Sequence, residues 1–178
     1  NGTFCDGLKV KKIQKEGNEM YKFGEFDSFE EINELAENLF NEGDTDSIKV
    51  MAAENGIPEE MIQLYINGEI PVLCDAMTAA LGKLEVEAQE LKPEEIMLDW
   101  LEYIRSQCMD NEQLALQVRK KEKSLKGCIA ALLKWSFTHQ QQISGDILKA
   151  ANVHVKVTLG IPGMGQAKKI IRDYYLGG

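Results

Sequence analysis

Apolar residues recur every three to four positions through most of this chain, a pattern typical of amphipathic helices. The first clear example covers residues 29–40, where Ile32 and Leu39 fall on one stripe, Ser28 can cap the start and Gly43 can end the helix. All four prolines fall at similar boundaries. The same reasoning predicts further helices over residues 45–55, 58–68, 71–91, 125–141, 145–151 and 166–176, and others beginning near residues 93 and 110.

One stretch departs from the helical period. Residues 153–159 alternate valine with His154, Lys156 and Thr158, which predicts an extended segment. We therefore predict a mostly α protein, a multi-helix bundle of about seven to nine helices with a short β-like segment near the C-terminus. The apolar stripes also place four large side chains in the core: Trp100, Leu132, Leu133 and Trp135.

Charge divides the chain more sharply than hydropathy does. Residues 16–118 contain 25 acidic and 5 basic side chains, whereas residues 119–178 contain 11 basic and 3 acidic ones, so the overall net charge of −9 conceals a bipolar molecule. The charges predict an acidic helical region at 20–118 and a basic C-terminal helical region at 119–178. Residues 1–18 contain three glycines, four lysines and no sustained period, which predicts a flexible leader or arm at residues 1–19. The acidic and basic regions are either subdomains or one compact domain. Because net charge governs association rather than fold, the division favours a binding protein.

The residues that usually carry catalysis are sparse and scattered. Neither of the two histidines has the spacing of a nucleophile or metal motif, and no Walker or dinucleotide fingerprint occurs. No apolar run approaches the roughly 20 residues that span a bilayer. We therefore expect no enzymatic activity, catalytic residue, cofactor, metal or membrane association, and a cytoplasmic location. Four widely spaced cysteines fit reduced, mostly buried thiols: Cys5, Cys74, Cys108 and Cys128.

Two basic groups are candidates for binding nucleic acid or an acidic partner. The first is dense and lies near a helix end, and the second follows a glycine-rich turn that leads into a helix. Contact with the helix dipole, or a solvated helix face, is the alternative explanation. The candidates are Arg119, Lys120, Lys121, Lys123 and Lys126 in the first group and Lys168, Lys169 and Arg172 in the second.

Acidic pairs at helix starts are candidates for a face that binds a basic partner. They are Glu30, Glu31, Glu59 and Glu60, and complementarity to the helix dipole is the alternative. Residues 52–66 also have helix-turn-helix grammar, but Glu59 and Glu60 stand where a DNA reader would enter the major groove. Phosphates would repel them, so packing of two helices is the favoured interpretation of that motif.

Four short segments together suggest a family: residues 21–26 (YKFGEF), 54–57 (ENGI), 123–128 (KSLKGC) and 159–162 (LGIP). In these segments the chain resembles small proteins of plasmids, phages and conjugative elements of Firmicutes, a family that includes type II-A anti-CRISPR proteins. The resemblance extends over roughly residues 20–176 and carries no catalytic site.

The resemblance implies a non-catalytic inhibitor of the type II RNA-guided DNA nuclease, which would bind that nuclease alone or with its guide RNA. The alternative is a DNA-binding accessory or regulatory protein of a mobile element, which would bind DNA non-specifically through the basic groups.

Overall fold

The structure is a computed structural model that describes residues 21–177. Within this range the chain is mostly helical, which confirms the predicted fold class. The leader predicted at residues 1–19, and Met20, lie outside the described residues. The elements are α1 (Phe29–Asn41), α2 (Thr45–Glu54), α3 (Glu59–Ile66), α4 (Ala76–Leu91), α5 (Ile96–Asp110), α6 (Glu112–Arg119), α7 (Leu125–Thr138), β1 (Gln141–Gln142), α8 (Gly145–Ala150), β2 (Thr158–Leu159) and α9 (Met164–Leu176).

Local sequence chemistry sets the helix ends. The side chains of Ser28, Asp44 and Ser124 each accept a hydrogen bond from a backbone N–H in the first turn of α1, α2 and α7, which satisfies a donor that has no partner within the helix. Gly43 follows α1 with a positive φ of 77°, a conformation that glycine adopts without steric cost. Caps and glycine stops therefore confirm most of the predicted boundaries.

The described residues contain two apolar clusters. The first is built mainly by α1, α2 and α3, with Ile32, Ile48 and Ile62 at its centre, and reaches Ala79 in α4. The second extends from Ala76 in α4 to Tyr175 in α9. Because α4 contributes to both, the two clusters share a helix.

The charge boundary between residues 118 and 119 is not a packing boundary. Arg119 is the last residue of α6, and α6 packs on both α4 and α9. The second cluster therefore joins helices of the acidic region to helices of the basic one.

A close approach of two glycines fixes α4 against the turn between α2 and α3. A Cβ on Gly82 would meet the carbonyl oxygen of Asn55, and one on Gly56 would meet the backbone of Gly82. Gly56 also has a φ of 70°, so it combines backbone contact with the left-handed conformation. Only glycine fits at either position, and this crossing brings residues 54–56 against the middle of α4.

The core prediction for α7 was wrong at two residues. Trp100 and Leu132 are buried as predicted, but Leu133 is 58% exposed and Trp135 is only half-buried, because α7 turns Leu125, Cys128 and Leu132 inward. The predicted short β-like segment is confirmed, and within residues 153–159 the strand itself is Thr158–Leu159, which pairs antiparallel with Gln141–Gln142.

No helix within residues 21–177 is long and apolar enough to cross a membrane.

Candidate interaction surfaces

The outer side of α1 carries a stripe of carboxylates, which we call the acidic face: Glu30, Glu34 and Glu37. All three are exposed and lie opposite the buried Ile32 and Ala36. Helix α1 contains no basic residue, and residues 21–75 contain 14 acidic side chains against 2 basic ones. Within the described residues none of the three carboxylates forms an ion pair. The negative charge of this stripe is therefore not neutralised locally.

The other predicted acidic residues have mixed roles. The carboxylate of Glu31 accepts the backbone N–H of Asp27 at 2.9 Å, so Glu31 acts in the cap of α1. Glu59 and Glu60 are exposed in the first turn of α3, where Glu59 accepts a hydrogen bond from the side chain of Gln63. Helix α2 packs against both α1 and α3, so the two predicted pairs belong to one three-helix unit.

The prediction that Arg119 belongs to an exposed basic surface was wrong. Its side chain is only 2% exposed, and burial lowers the pKa of its guanidinium. The guanidinium donates hydrogen bonds to the carbonyl oxygen of Phe26 at 3.0 Å, to that of Ala79 at 3.4 Å and to Oδ1 of Asn55. Arg119 at the end of α6 therefore supplies the donor for three acceptors that lie on other parts of the chain.

Three lysines that follow Arg119 are partly engaged within the protein. The Lys120 ammonium lies 3.2 Å from Oδ2 of Asp27, and the backbone N–H of Lys121 donates to Oδ1 of Asp27 at 2.9 Å. The hydrogen bond from Lys121, and then the charge and hydrogen bond of Lys120, lower the pKa of Asp27. Lys123 donates to the carbonyl oxygen of Tyr174 at 2.9 Å. In this group the side chains of Lys121 and Lys126 are exposed.

The basic residues of α9 are exposed. Lys169 and Arg172 point away from the buried Ala167 and Ile171, and the Lys168 ammonium lies 5.1 Å from the ring centre of Tyr103. Because α7 packs against α9, the structure brings Lys126 into the same part of the molecule as these residues. The predicted basic surface therefore consists of α9 and the start of α7, without Arg119.

Sequence reasoning missed a polar junction between the helices and residues 21–28. We call the segment of residues 21–28 the strap. The backbone N–H groups of Lys22, Phe23 and Gly24 all donate to the carboxylate of Glu54, at 2.7, 2.9 and 3.0 Å. Asn55 continues the junction, since its amide donates to the carbonyl of Gly24. One carboxylate at the end of α2 thus holds three successive donors of the strap.

Lys83 is the second buried cation of this junction. It is 4% exposed, and its ammonium lies 2.8 Å from Oε1 of Glu25 and donates to the carbonyls of Lys120 and Lys123 at 2.5 and 2.7 Å. The signal for it was present in the sequence, because Lys83 stands four residues after Ala79 on the inward side of α4. Lys83 links the strap, α4 and the connection between α6 and α7.

Glu87 lies one turn after Lys83 and accepts the backbone N–H of Leu125 at 3.1 Å. Its burial raises the pKa of this carboxyl. Beside it is a cavity of about 340 Å³, whose lining includes Tyr21, Lys83, Glu87 and Arg119. Lys83, Glu87 and Arg119 bond to other groups of the protein, mostly backbone, so the arrangement is suited to joining the strap to the helices.

No group of three or more His, Cys, Asp or Glu side chains between residues 21 and 177 is arranged to hold a metal ion. The chain matches no protein-family model, no curated protein and no solved structure in the comparisons.

Proposed function

We propose that this chain is an anti-CRISPR protein that binds a type II RNA-guided DNA nuclease, with or without its guide RNA, and inhibits it by contact rather than catalysis. It would act in the cytoplasm of a bacterial host. The observation that carries the proposal is the acidic face on α1, together with the exposed Glu59 and Glu60 on α3.

Neighbouring carboxylates of the acidic face repel one another, whereas the dipole of α1 favours Glu30 in the first turn. Like charges at Glu30 and Glu34, and again at Glu34 and Glu37, destabilise a helix by about 0.2–0.5 kcal/mol per pair. A basic partner would remove this repulsion. Nucleases of this class hold their heteroduplex in a positively charged channel and must move a domain before they cut. A protein that prefers one conformational state of such an enzyme inhibits it without any active site.

The direct test is cleavage of a linear DNA target by purified nuclease loaded with guide RNA. We expect the protein to suppress cleavage in a dose-dependent manner, with guide and DNA intact on a denaturing gel. The complex should weaken as salt is raised from about 0.05 M to about 0.5 M, because the attraction between exposed charges is screened. Complete cleavage by several nuclease orthologues at large excess of the protein would refute the proposal.

Paired substitutions locate the interface. Glu59→Gln with Glu60→Gln should raise the half-inhibitory concentration by about tenfold, since both carboxylates are exposed and would face the basic partner. The matched control is Glu94→Gln with Glu95→Gln, an equally charged and exposed pair just before α5. An equal loss in both double variants would show that overall charge, rather than this surface, sets the affinity.

A second candidate function is non-specific DNA binding by an accessory or regulatory protein of a mobile element. The exposed Lys168, Lys169 and Arg172 on α9 favour it. Replacing all three by Glu should then weaken DNA binding and flatten its salt dependence, since fewer counterions are released. Specific binding to one DNA sequence without any nuclease would favour this function over inhibition.

A further inference from the structure

The outer face of α7 is apolar and basic. Lys126, Ala130, Leu133 and Phe137 recur at intervals of three or four residues, so they form one stripe along the helix, and all four are exposed. Leu133 is 58% and Phe137 80% exposed, and Lys134 lies at the edge of the stripe. Exposed apolar patches with a polar border mark interaction sites more often than isolated apolar residues do.

The part of the chain that contains this face is rich in basic residues. Helix α7 contains no acidic residue, and between residues 123 and 172 there are eight basic side chains and one acidic one, Asp146. Gly160 packs against the carbonyl of Ser136 in the last turn of α7, and its exposed neighbours Leu159 and Ile161 add apolar surface at that end. A partner for this face must therefore be acidic and must also present apolar surface.

Such a surface exists on the same chain. The acidic face of α1 has carboxylates at Glu30, Glu34 and Glu37, and Phe40 at its edge is 41% exposed. The Phe40 ring packs 5.7 Å from the ring of Tyr65, which holds it in place. Helices α1 and α7 thus carry opposite charges and exposed aromatic rings, and within one copy both outer faces remain open to solvent.

The spacings on the two helices correspond. From Lys126 to Lys134 is about 12 Å along α7, and Phe137 lies about 4.5 Å further, at 1.5 Å per residue. From Glu30 to Glu37 is about 10.5 Å along α1, and Phe40 again lies about 4.5 Å further. Parallel alignment places Lys126 opposite Glu30, Lys134 opposite Glu37 and one aromatic ring against the other.

We propose that the outer face of α7 docks on the acidic face of α1 in a second copy of this chain. Two such contacts related by a two-fold axis would close a dimer. Nucleic acid fits the α7 face less well, because the side chains of Leu133 and Ala130 have no hydrogen-bond donor or charge for phosphate. The proposal does not rest on nuclease inhibition. Where both hold, self-association covers Glu30 and competes with the nuclease.

Sedimentation velocity of the full chain, without nuclease, tests this. We expect a concentration-dependent dimer between about 1 and 100 µM at low salt that weakens at high salt. Phe137→Ser should abolish it, and Lys126→Glu with Lys134→Glu should raise the dissociation constant by about tenfold or more. Lys49→Glu with Lys92→Glu, which makes the same charge change outside α7, should leave the dimer intact. Circular dichroism verifies that each variant is folded.

Charge exchange gives the decisive result. Glu30→Lys with Glu37→Lys should also dissociate the dimer, and mixing this variant with Lys126→Glu and Lys134→Glu should restore a complex between the two. A monomer at all concentrations overturns the proposal. So does a dimer that survives the α7 substitutions, or a mixture that stays monomeric. Loss of DNA binding in the α7 variants of a monomeric protein would assign this face to nucleic acid instead.

Discussion

Removing the Arg119 side chain should destabilise the whole fold. Arg119→Ala deletes the donor of three hydrogen bonds, to the carbonyls of Phe26 and Ala79 and to the side chain of Asn55. Hydrogen bonds to a charged group contribute about 1.5–3 kcal/mol each, and the desolvation of the buried guanidinium offsets part of that gain. We expect a loss of about 3–5 kcal/mol in the free energy of unfolding, a large share of the usual 5–15 kcal/mol.

Urea denaturation followed by far-UV circular dichroism measures this loss. Arg119→Met keeps most of the side-chain volume but none of the donors, so it separates hydrogen bonding from packing and should still cost more than about 1.5 kcal/mol. The control is Lys121→Ala, two positions along the chain and exposed, which should change the free energy of unfolding by less than about 0.5 kcal/mol. If Arg119→Ala costs no more than this control, the buried network does not hold the fold together.

Three further changes test the packing and the polar junction. Trp100→Ala should cost about 3–5 kcal/mol on urea denaturation because the indole is buried, whereas Phe137→Ala should cost under about 0.5 kcal/mol; equal losses would contradict the core assignment. Gly82→Ala should lower the melting temperature, since its Cβ would meet the carbonyl of Asn55; an unchanged value would show that α4 can shift. Burial raises the pKa of Glu87 above its ordinary 4.5, so ionisation opposes folding and the carboxyl stabilises the fold most at low pH. Glu87→Gln should therefore gain stability relative to the original protein as pH rises from about 4 to about 7, and a constant difference would contradict this.

Local chemistry explains why many helix ends could be predicted. A cap such as Ser124 acts on a donor three residues away, so both partners are visible in a short window of sequence. The predicted start of α4 at Pro71 was wrong because a different local cap begins the helix. Asp75 accepts a hydrogen bond from the N–H of Thr78, and the helix therefore begins at Ala76, five residues later than predicted.

The buried cations could not be predicted in this way. The spacing from Ala79 places Lys83 on the inward side of α4, but nothing near Lys83 or Arg119 in the sequence identifies their acceptors. Those acceptors come from Phe26, Asn55 and Glu25, far away along the chain. The burial of a charged group is favourable only where such distant partners bond to it. Periodicity locates a stripe on a helix but not the elements that cover it.

The same limit explains Leu133. The apolar pattern of α7 is broad enough to face two directions, and neighbouring helices cover only the side of Leu125 and Leu132. The basic candidates lie partly on the surface and partly in the interior. Lys169 and Arg172 are exposed, whereas Arg119, which has the same charge, is buried.

The strap imposes an order on folding during synthesis. Its bonds to Glu54 span about thirty residues, but Phe26 and Arg119 are 93 residues apart. At about 5–20 residues per second, the ribosome delivers Arg119 about 5–20 s after Phe26. The nascent strap can therefore settle first on the end of α2, with the carbonyl of Phe26 still hydrated, until α6 emerges. Contacts between residues so far apart in the chain form slowly. We therefore expect the hydrogen bond between Phe26 and Arg119 to form late in folding.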